Sequence, residues 1–276
     1  GEGRKMSKSL GNGVDPMDVI EKYGADALRW FLVTGSTPGQ DLRFTYEKMD
    51  SAWNFINKIW NASRYVIMNL DEDTPSTLPD MSQLTLADQW ILSRLNTVVT
   101  NVTRNFDKFE FGEAGRELYN FIWSDFADWY IEMTKETLNG DQDKAPVQQT
   151  LAYVLDQTLR LLQPIMPFVT EAIWQEMPAQ NGSEADFAIV KYPVVREELS
   201  NPDAEQAFKS LQDLIVAVRN IRAEANAPMS TPIDLMIQTT DDNLKHIFEA
   251  NADYINRFAH PKTLTCLLYT SDAADD

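Results

Sequence analysis

Residues 111–138 read FGEAGRELYNFIWSDFADWYIEMTKETL, a stretch rich in aromatic and other apolar side chains. Its pattern predicts one long helix, which Asn139 and Gly140 end. We expect its aromatic side chains to lie mostly in a core and not on a base-stacking surface. They are Tyr119, Phe121, Trp123, Phe126, Trp129 and Tyr130. Such a helix needs packing partners, so the stretch indicates a helical bundle.

Further runs with helical spacing flank this stretch on both sides. Thr85 is expected to cap one of them, with Asp88 as its capping-box partner. Pro164 and Pro167 bend the chain between the last two runs, because neither proline can donate a helical hydrogen bond. The runs cover about Thr45–Leu70, Thr85–Phe106, Ala145–Gln163 and Phe168–Met177. Together they predict a mainly α fold built on a four- or five-helix bundle.

Two short helices are predicted before the bundle. The first lies within VDPMDVIEKYG (residues 14–24), where Asp15 is a cap and Pro16 fits the first helical position. The second covers about Ala25–Val33. Turn-forming residues then break the helical pattern; they are Gly35, Pro38 and Gly39.

The residues after the bundle predict a small partial α/β unit. Residues 178–200 are loop-rich, with a short strand expected at Phe187–Val190. The elements expected after them are a helix over Pro202–Glu224, a strand over Pro232–Gln238 and a helix near Asn243–Phe258. The last ten residues, LLYTSDAADD, lack periodicity and end in acids, so we expect them to be disordered or non-native.

The predicted helix over residues 45–70 has two different faces. Apolar positions recur at helical spacing along one of them, and polar side chains recur beside them. The polar side chains are Asn54, Asn57, Lys58, Asn61 and Arg64. Such a stripe is typical of an ordinary solvent-facing surface, although amides and an arginine also suit the reading of unstacked bases.

Composition restricts the function classes. The 276 residues carry a net charge of −18, divided between +1 over residues 1–64 and −19 over the rest. This argues against a general polyanion-binding protein, so any phosphate chemistry is expected near the N-terminal end. One cysteine, Cys266, allows no internal disulfide, and no apolar run reaches the length of a membrane span. These features predict a soluble cytoplasmic protein without a membrane partner.

The pentapeptide KMSKS, Lys5–Ser9, specifies five positions and is followed by LGNGVDPMDVIEKYGADALRWFL. With these neighbours it resembles the signature loop of class I aminoacyl-tRNA synthetases. TGSTPGQDLRF (residues 34–44) and AWNFINKIWNASRYV (residues 52–66) make the chain similar to the valyl-tRNA synthetase family in particular. LLQPIMPFVTEAIW (residues 161–174) and VRNIRAE (residues 218–224) extend the resemblance, which covers about residues 3–262.

The resemblance implies ATP, with Mg²⁺, as a substrate of the loop. In that family the loop closes over ATP while the amino-acid carboxylate attacks the α-phosphate and pyrophosphate leaves. A mobile cation that meets the growing negative charge raises the rate of this step. The catalytic candidates are Lys8 and then Lys5, and the ATP-binding candidates are Lys5, Met6, Ser7, Lys8 and Ser9. Gly11 and Gly13 are expected to let the loop swing.

The resemblance also implies four regions and a tRNA partner. The regions are the end of a class I catalytic domain (1–44), an anticodon-binding helical bundle (45–195), the start of a C-terminal domain (196–266) and the tail (267–276). The implied partners are tRNA(Val), valine and ATP, and the protein is expected to be a monomer. The candidate tRNA contacts are Asn54, Asn57, Lys58, Trp60, Asn61, Arg64, Arg219 and Arg222.

By this resemblance the chain is part of a valine–tRNA ligase, and other parts of that enzyme are expected elsewhere. The family's HIGH motif lies upstream of the loop, whereas the two histidines here, His246 and His260, lie far downstream. The catalytic sheet and the editing domain are likewise missing, so the chain alone is expected to be inactive. The alternatives are an isoleucyl or leucyl synthetase, or a stand-alone tRNA-binding or helical interaction module.

Two other residue pairs raise the question of chemistry outside the loop. His260 and Cys266 are six residues apart, but no orienting carboxylate accompanies them in a recognisable motif. Asp125 and Asp128 share a helix face that suits a metal, although an acidic helix surface is commoner. We therefore predict no catalytic pair and no metal bound by protein side chains.

Overall fold

The computed structural model of the chain describes residues 4–37 and 39–269 and divides the chain into two compact units, residues 1–200 and 201–276. The helices of the first unit are α1 (Pro16–Tyr23), α2 (Ala25–Thr34), α3 (Tyr46–Met68), α4 (Leu86–Asp107), α5 (Phe111–Asn120), α6 (Glu132–Asn139), α7 (Ala145–Leu162) and α8 (Pro167–Gln175). A π-helical segment, Phe121–Ile131, joins α5 to α6. The second unit contains α9 (Pro202–Glu224), β1 (Asp234–Thr239), α10 (Asp242–Ala250), α11 (Ala252–Ala259) and β2 (Thr263–Leu268).

The predicted fold class is confirmed, because a helical bundle precedes a small α/β unit. The predicted capping box is also present: Thr85 accepts from the Asp88 backbone N–H, and the Asp88 carboxylate accepts from that of Thr85. The strand predicted at Phe187–Val190 is wrong. Residues 187–189 form a 3-10 turn that Asp186 caps, and the Phe187 ring is buried against Trp174 at 4.8 Å. Phe187 packs against Trp174 of α8 and not against a strand, so this segment lacks the strand partner that a sheet requires.

The stretch over residues 111–138 is continuous helix as predicted, but its middle is π-helical. Phe121, Phe126 and Tyr130 are buried there, which confirms the core assignment for three of the six aromatics. Tyr119 is exposed, whereas Trp123 and Trp129 are half-buried. The wider π-helical turn thus divides the aromatics between the core and an outer face.

A buried carboxylate ties this segment to α4. Asp88 is 1% exposed, and its Oδ1 accepts a hydrogen bond of 2.6 Å from the Tyr130 hydroxyl. Burial raises the pKa of Asp88, although the hydrogen bonds from Tyr130 and Thr85 oppose this. The same carboxylate therefore caps α4 and fixes the π-helical segment against it.

Helix α2 is held by small residues of α5. A Cβ added to Gly115 would lie 2.4 Å from Thr34 Cγ2, closer than two carbon atoms can approach. A Cβ added to Gly112 would lie 3.2 Å from the Thr34 carbonyl oxygen and 3.3 Å from that of Ser36. The end of α2 and the residues that follow it therefore pack closely against the start of α5, which fixes α2 on the bundle.

Helix α2 also binds the bend between α7 and α8. The Asp26 carboxylate accepts from the backbone N–H groups of Phe168 (3.3 Å) and Val169 (2.6 Å), at the start of α8. Arg29 donates to the carbonyl oxygens of Pro164 and Ile165, both at 2.9 Å. Burial raises the pKa of Asp26, and the two backbone donors and Arg29 oppose this. One turn of α2 therefore supplies hydrogen-bond partners to the carbonyl groups of the α7–α8 bend and to the first N–H groups of α8.

In the second unit, β1 and β2 pair in parallel from Asp234 with Thr263 to Thr239 with Leu268. The sequence places an unstructured tail from Leu267 onward, yet Leu267 and Leu268 are the last residues of β2. Backbone pairing with β1 explains the difference, because the strand partner lies far away in sequence. The rest of that predicted tail, from Thr270 onward, lies outside the described residues, as does Pro38 of the predicted turn.

Candidate functional site

The KMSKS segment forms a small self-contained loop. Ser7 caps the 3-10 turn Lys8–Leu10, since its Oγ accepts from the Leu10 N–H at 3.3 Å, and it lies 3.1 Å from Ser9 Oγ. Asn12 closes the loop: its Oδ1 accepts from the Ser7 N–H at 2.9 Å and its Nδ2 donates to the Lys5 carbonyl at 3.4 Å. The two serines thus shape the turn.

The two lysines of the loop are exposed. Over residues 4–37 and 39–269, neither the Lys5 nor the Lys8 ammonium group has an ion-pair or hydrogen-bond partner. Gly11 follows the turn with φ +60°, a left-handed conformation that glycine adopts without strain. Met6 is 45% exposed. The loop therefore presents two unneutralised charges to solvent on a turn that its own hydrogen bonds hold.

The polar side chains of α3 form a second candidate site, which we call the amide face: Asn54, Asn57, Lys58, Asn61 and Arg64, with Trp53 and Trp60. Asn54, Asn61 and Arg64 are exposed, and Asn57 is half-buried. Among the described residues, the side chains of these four make no hydrogen bond or ion pair. Three side-chain amides in successive turns are therefore available to an outside partner.

Both tryptophans of α3 belong to this face. Trp53 is 43% exposed and Trp60 is 44% exposed, so neither is a core residue. Positions 53, 57, 60 and 64 are spaced three or four residues apart and therefore lie along one side of the helix. Exposed aromatic rings are able to stack on unstacked bases, and side-chain amides are able to form hydrogen bonds with base edges.

Lys58 differs from its neighbours because it is neutralised. Its Nζ lies 2.6 Å from Asp128 Oδ1 and 5.0 Å from the centre of the Trp123 ring. Asp125 is paired in the same way, with its Oδ2 3.1 Å from Arg94 Nε. Each of the two aspartates considered for a metal thus forms an ion pair with a basic side chain. The described residues contain no group of three or more potential metal ligands.

The predicted tRNA contact at Arg222 is wrong in this geometry, because the side chain is 3% exposed. Its guanidinium donates to four backbone carbonyls, those of Pro228, Thr231, Ala259 and His260, at 2.9–3.2 Å. Arg219 is exposed, and its Nε donates to the Phe258 carbonyl at 3.3 Å. Arg219 and Arg222 are three positions apart, and the structure places Arg222 inside the second unit and Arg219 at its surface.

The loop and the amide face lie on the same unit but remain two separate groups. No hydrogen bond or ion pair joins residues 5–9 to residues 54–64 within the described ranges. Helix α1 links them indirectly, because the Tyr23 hydroxyl donates to Asp50 Oδ1 on α3 at 2.9 Å. Burial raises the pKa of the Cys266 thiol, which belongs to the second unit.

Comparison with known protein families matches two separate ranges of the chain. The family described as "tRNA synthetases class I (I, L, M and V)" matches residues 1–45, which include the loop. The family described as "Anticodon-binding domain of tRNA ligase" matches residues 88–237, more than half of the chain. The chain belongs to the tRNA-ligase anticodon-binding family. The second match begins within α4 and includes the rest of the bundle, whereas α3 with its amide face lies between the two matched ranges.

Similar proteins include the "Valine--tRNA ligase" of Lactiplantibacillus plantarum, 66% identical over 265 residues, and that of Enterococcus faecalis, 58% identical over 265 residues. Each match covers 95% of this chain and 30% of the relative, so the chain spans about a third of the length of these relatives. The predicted resemblance to valyl-tRNA synthetases is thereby confirmed.

Solved structures support the same fold. A ternary complex of Agrobacterium radiobacter K84 LeuRS with tRNA and LeuAMS matches with TM-score 0.58 and 22% identity, over 72% of this chain and 23% of that one. Methionyl-tRNA synthetase of Mycobacterium tuberculosis with methionyl-adenylate matches with TM-score 0.51 and 25% identity, over 62% of this chain and 35% of that one. The chain thus shares its fold with part of each of these two synthetases.

Replacement of Arg222 by methionine should loosen the second unit, because four backbone carbonyl groups lose the donor that joins them. We expect a loss of about 3 kcal/mol in the opening free energy of β1 and β2, measured by amide hydrogen exchange. Arg219→Met, at the exposed arginine, should change it by less than about 1 kcal/mol. Equal effects of the two substitutions would contradict the structural role of Arg222.

Proposed function

We propose that this chain carries the activation loop and the anticodon-binding bundle of a valine–tRNA ligase. That enzyme joins valine to tRNA(Val) through valyl-adenylate and uses ATP, with Mg²⁺, as the activating substrate. We further propose that it acts as a cytoplasmic monomer. Among the described residues, no helix is both long and apolar enough to cross a membrane.

The observation that carries the proposal is the amide face of α3. Its three unpaired amides and two exposed tryptophans stand on a helix of the bundle, in a chain whose total charge is −18. Such a chain gains little from phosphate attraction, so a productive contact with RNA has to come from stacking and base-edge hydrogen bonds. Anticodon bases are unstacked and present those edges. The 66% identity to a valine–tRNA ligase supports valine as the amino acid.

The loop suits the activation step for a separate reason. Lys5 and Lys8 are exposed and unpaired in the described part of the chain, so their charges are available when pyrophosphate departs. The Ser7 and Ser9 hydroxyls are within hydrogen-bond reach of each other and hold the turn on which Lys8 lies. A cation that meets the leaving group mainly in the transition state increases kcat more than it tightens substrate binding.

Lys8→Ala should therefore lower valine activation by about 10²–10³-fold with little change in the KM for valine. The measurement is valine-dependent pyrophosphate exchange in a chimera that carries this chain in place of the matching residues of the Lactiplantibacillus plantarum enzyme. Lys22→Ala, at an exposed lysine of α1 outside the loop, is the matched control and should retain activity. An effect of Lys8→Ala on the KM for valine alone would refute the assigned role.

The chain itself should bind tRNA(Val) weakly, with a shallow salt dependence, and should prefer it to a tRNA(Val) with an exchanged anticodon. Asn57→Ala should remove most of that preference, because base-edge contacts specify while phosphate contacts only position. Asn220→Ala, at an exposed asparagine of α9, should leave it unchanged. Binding titrations at two salt concentrations measure this. Equal affinity of the unmodified chain for both tRNAs would reduce the bundle to a scaffold.

A further inference from the structure

Asp128 is a carboxylate at the edge of the amide face that neither the fold nor the proposed function explains. It belongs to the π-helical segment, and its side chain is 50% exposed. Its partner Lys58 stands on α3 between Asn57 and Asn61, in the middle of the amide face. A negative charge at the site where an RNA is expected to bind opposes that binding, so its presence there needs a reason.

Lys58 is held in place from two sides. Asp128 Oδ1 lies 2.6 Å from its Nζ, and the Trp123 ring lies beneath it with its centre at 5.0 Å. Trp123 is itself stacked on Tyr119, with the ring centres 5.4 Å apart and the planes 23° from parallel. Both neighbours of the ammonium group, and the Tyr119 ring that stacks on one of them, therefore lie on one continuous helical run. Lys58 is consequently both neutralised and kept from reaching outward.

The neutralisation changes how the amide face attracts RNA. Each cation that meets a phosphate releases a counterion and adds affinity for any RNA, whatever its sequence. With Lys58 paired, Arg64 is the cation of this face that makes no ion pair in the described part of the chain. The amides and tryptophans, which respond to bases, then carry a larger share of the binding energy.

We propose that Asp128 is a specificity-determining residue, which neutralises Lys58 so that the amide face selects RNA by its bases and not by its phosphates. This rests on the proposed function of the bundle. Base contacts hold a cognate RNA in one register, in which no phosphate needs Lys58. An RNA without such contacts moves to whichever register brings a phosphate to a free ammonium group, and Asp128 removes that advantage.

The nearby Arg94–Asp125 pair provides the comparison. Asp125 lies one turn earlier on the same π-helical segment, and its removal changes the net charge of the chain by the same amount. Its partner Arg94 belongs to α4 and is not part of the amide face. A purely structural or general charge effect would appear in both aspartate variants, whereas the proposed effect belongs to Asp128 alone.

The test measures binding of polyuridine and of tRNA(Val) to the chain at two salt concentrations. Asp128→Asn should raise the affinity for polyuridine about three- to tenfold at low salt and steepen its salt dependence by about 0.7. Affinity for tRNA(Val) should change less than about twofold, so the preference for tRNA(Val) falls. Asp125→Asn should change polyuridine binding less than about twofold. The added substitution Lys58→Met should return the Asp128→Asn variant to the original affinity.

Three results would overturn the proposal. They are an unchanged polyuridine affinity in Asp128→Asn, an equal gain in Asp125→Asn, and an equal gain for tRNA(Val). A gain in polyuridine affinity that the added Lys58→Met substitution does not remove would overturn it as well, because the freed ammonium group would then not be the source of the gain. Polyuridine has no anticodon. An unchanged polyuridine affinity in Asp128→Asn is therefore distinguishable from failure of the bundle to tell the two tRNAs apart.

Discussion

One turn of α2 organises the first unit, because it supplies hydrogen-bond partners that the α7–α8 bend lacks. The two prolines of the bend cannot donate, and Met166 gives α8 no side-chain cap. Asp26 accepts from the first free N–H groups of α8, and Arg29 donates to the carbonyls of Pro164 and Ile165, just beyond the last residue of α7. A negative charge thus lies at a helix N-terminus and a positive charge at a helix C-terminus, as the helix dipoles favour.

This arrangement places two distant segments on one body. The loop at residues 5–9 is followed by α1 and α2, and α2 is fixed to the bundle by the Asp26 and Arg29 contacts and by the close approach of Thr34 to Gly115. The amide face lies on α3, which the Tyr23–Asp50 hydrogen bond joins to α1. The base of the loop is therefore connected to the bundle through packed helices.

The strong acidity of the chain and its proposed tRNA partner are compatible because the two act at different ranges. The net charge of −18 weakens attraction to any polyanion. At short range, the proposed contacts of the unpaired amides of α3 and the exposed rings of Trp53 and Trp60 with bases need no positive field. The unpaired lysines of the loop are proposed to meet a different ligand, ATP, for which a local positive charge is favourable.

Local sequence patterns predicted the helices, the Thr85 capping box and the exposed polar face of α3, because all of these depend on residues a few positions apart. They did not predict that the two tryptophans of α3 are exposed, since tryptophan is equally common in cores. The burial of Arg222 depends on carbonyls up to 38 residues away. The Asp26 contacts span 142 and 143 residues. A local periodicity contains no information about contacts at such separations. The available signal for Asp26 is that it is a charged residue on the short and mostly apolar helix α2.

Amide hydrogen exchange of the Asp26→Ala variant tests most directly whether α2 joins the loop-bearing helices to the bundle. Loss of the shared cap should accelerate exchange at the start of α8 and across α1 and α2 together, by about tenfold or more, while α4 stays protected. Asp18→Ala, which removes an exposed carboxylate from α1, should accelerate neither α2 nor α8. Faster exchange confined to α8, with α1 and α2 unchanged, would show that the contact is only a local cap and would contradict this account.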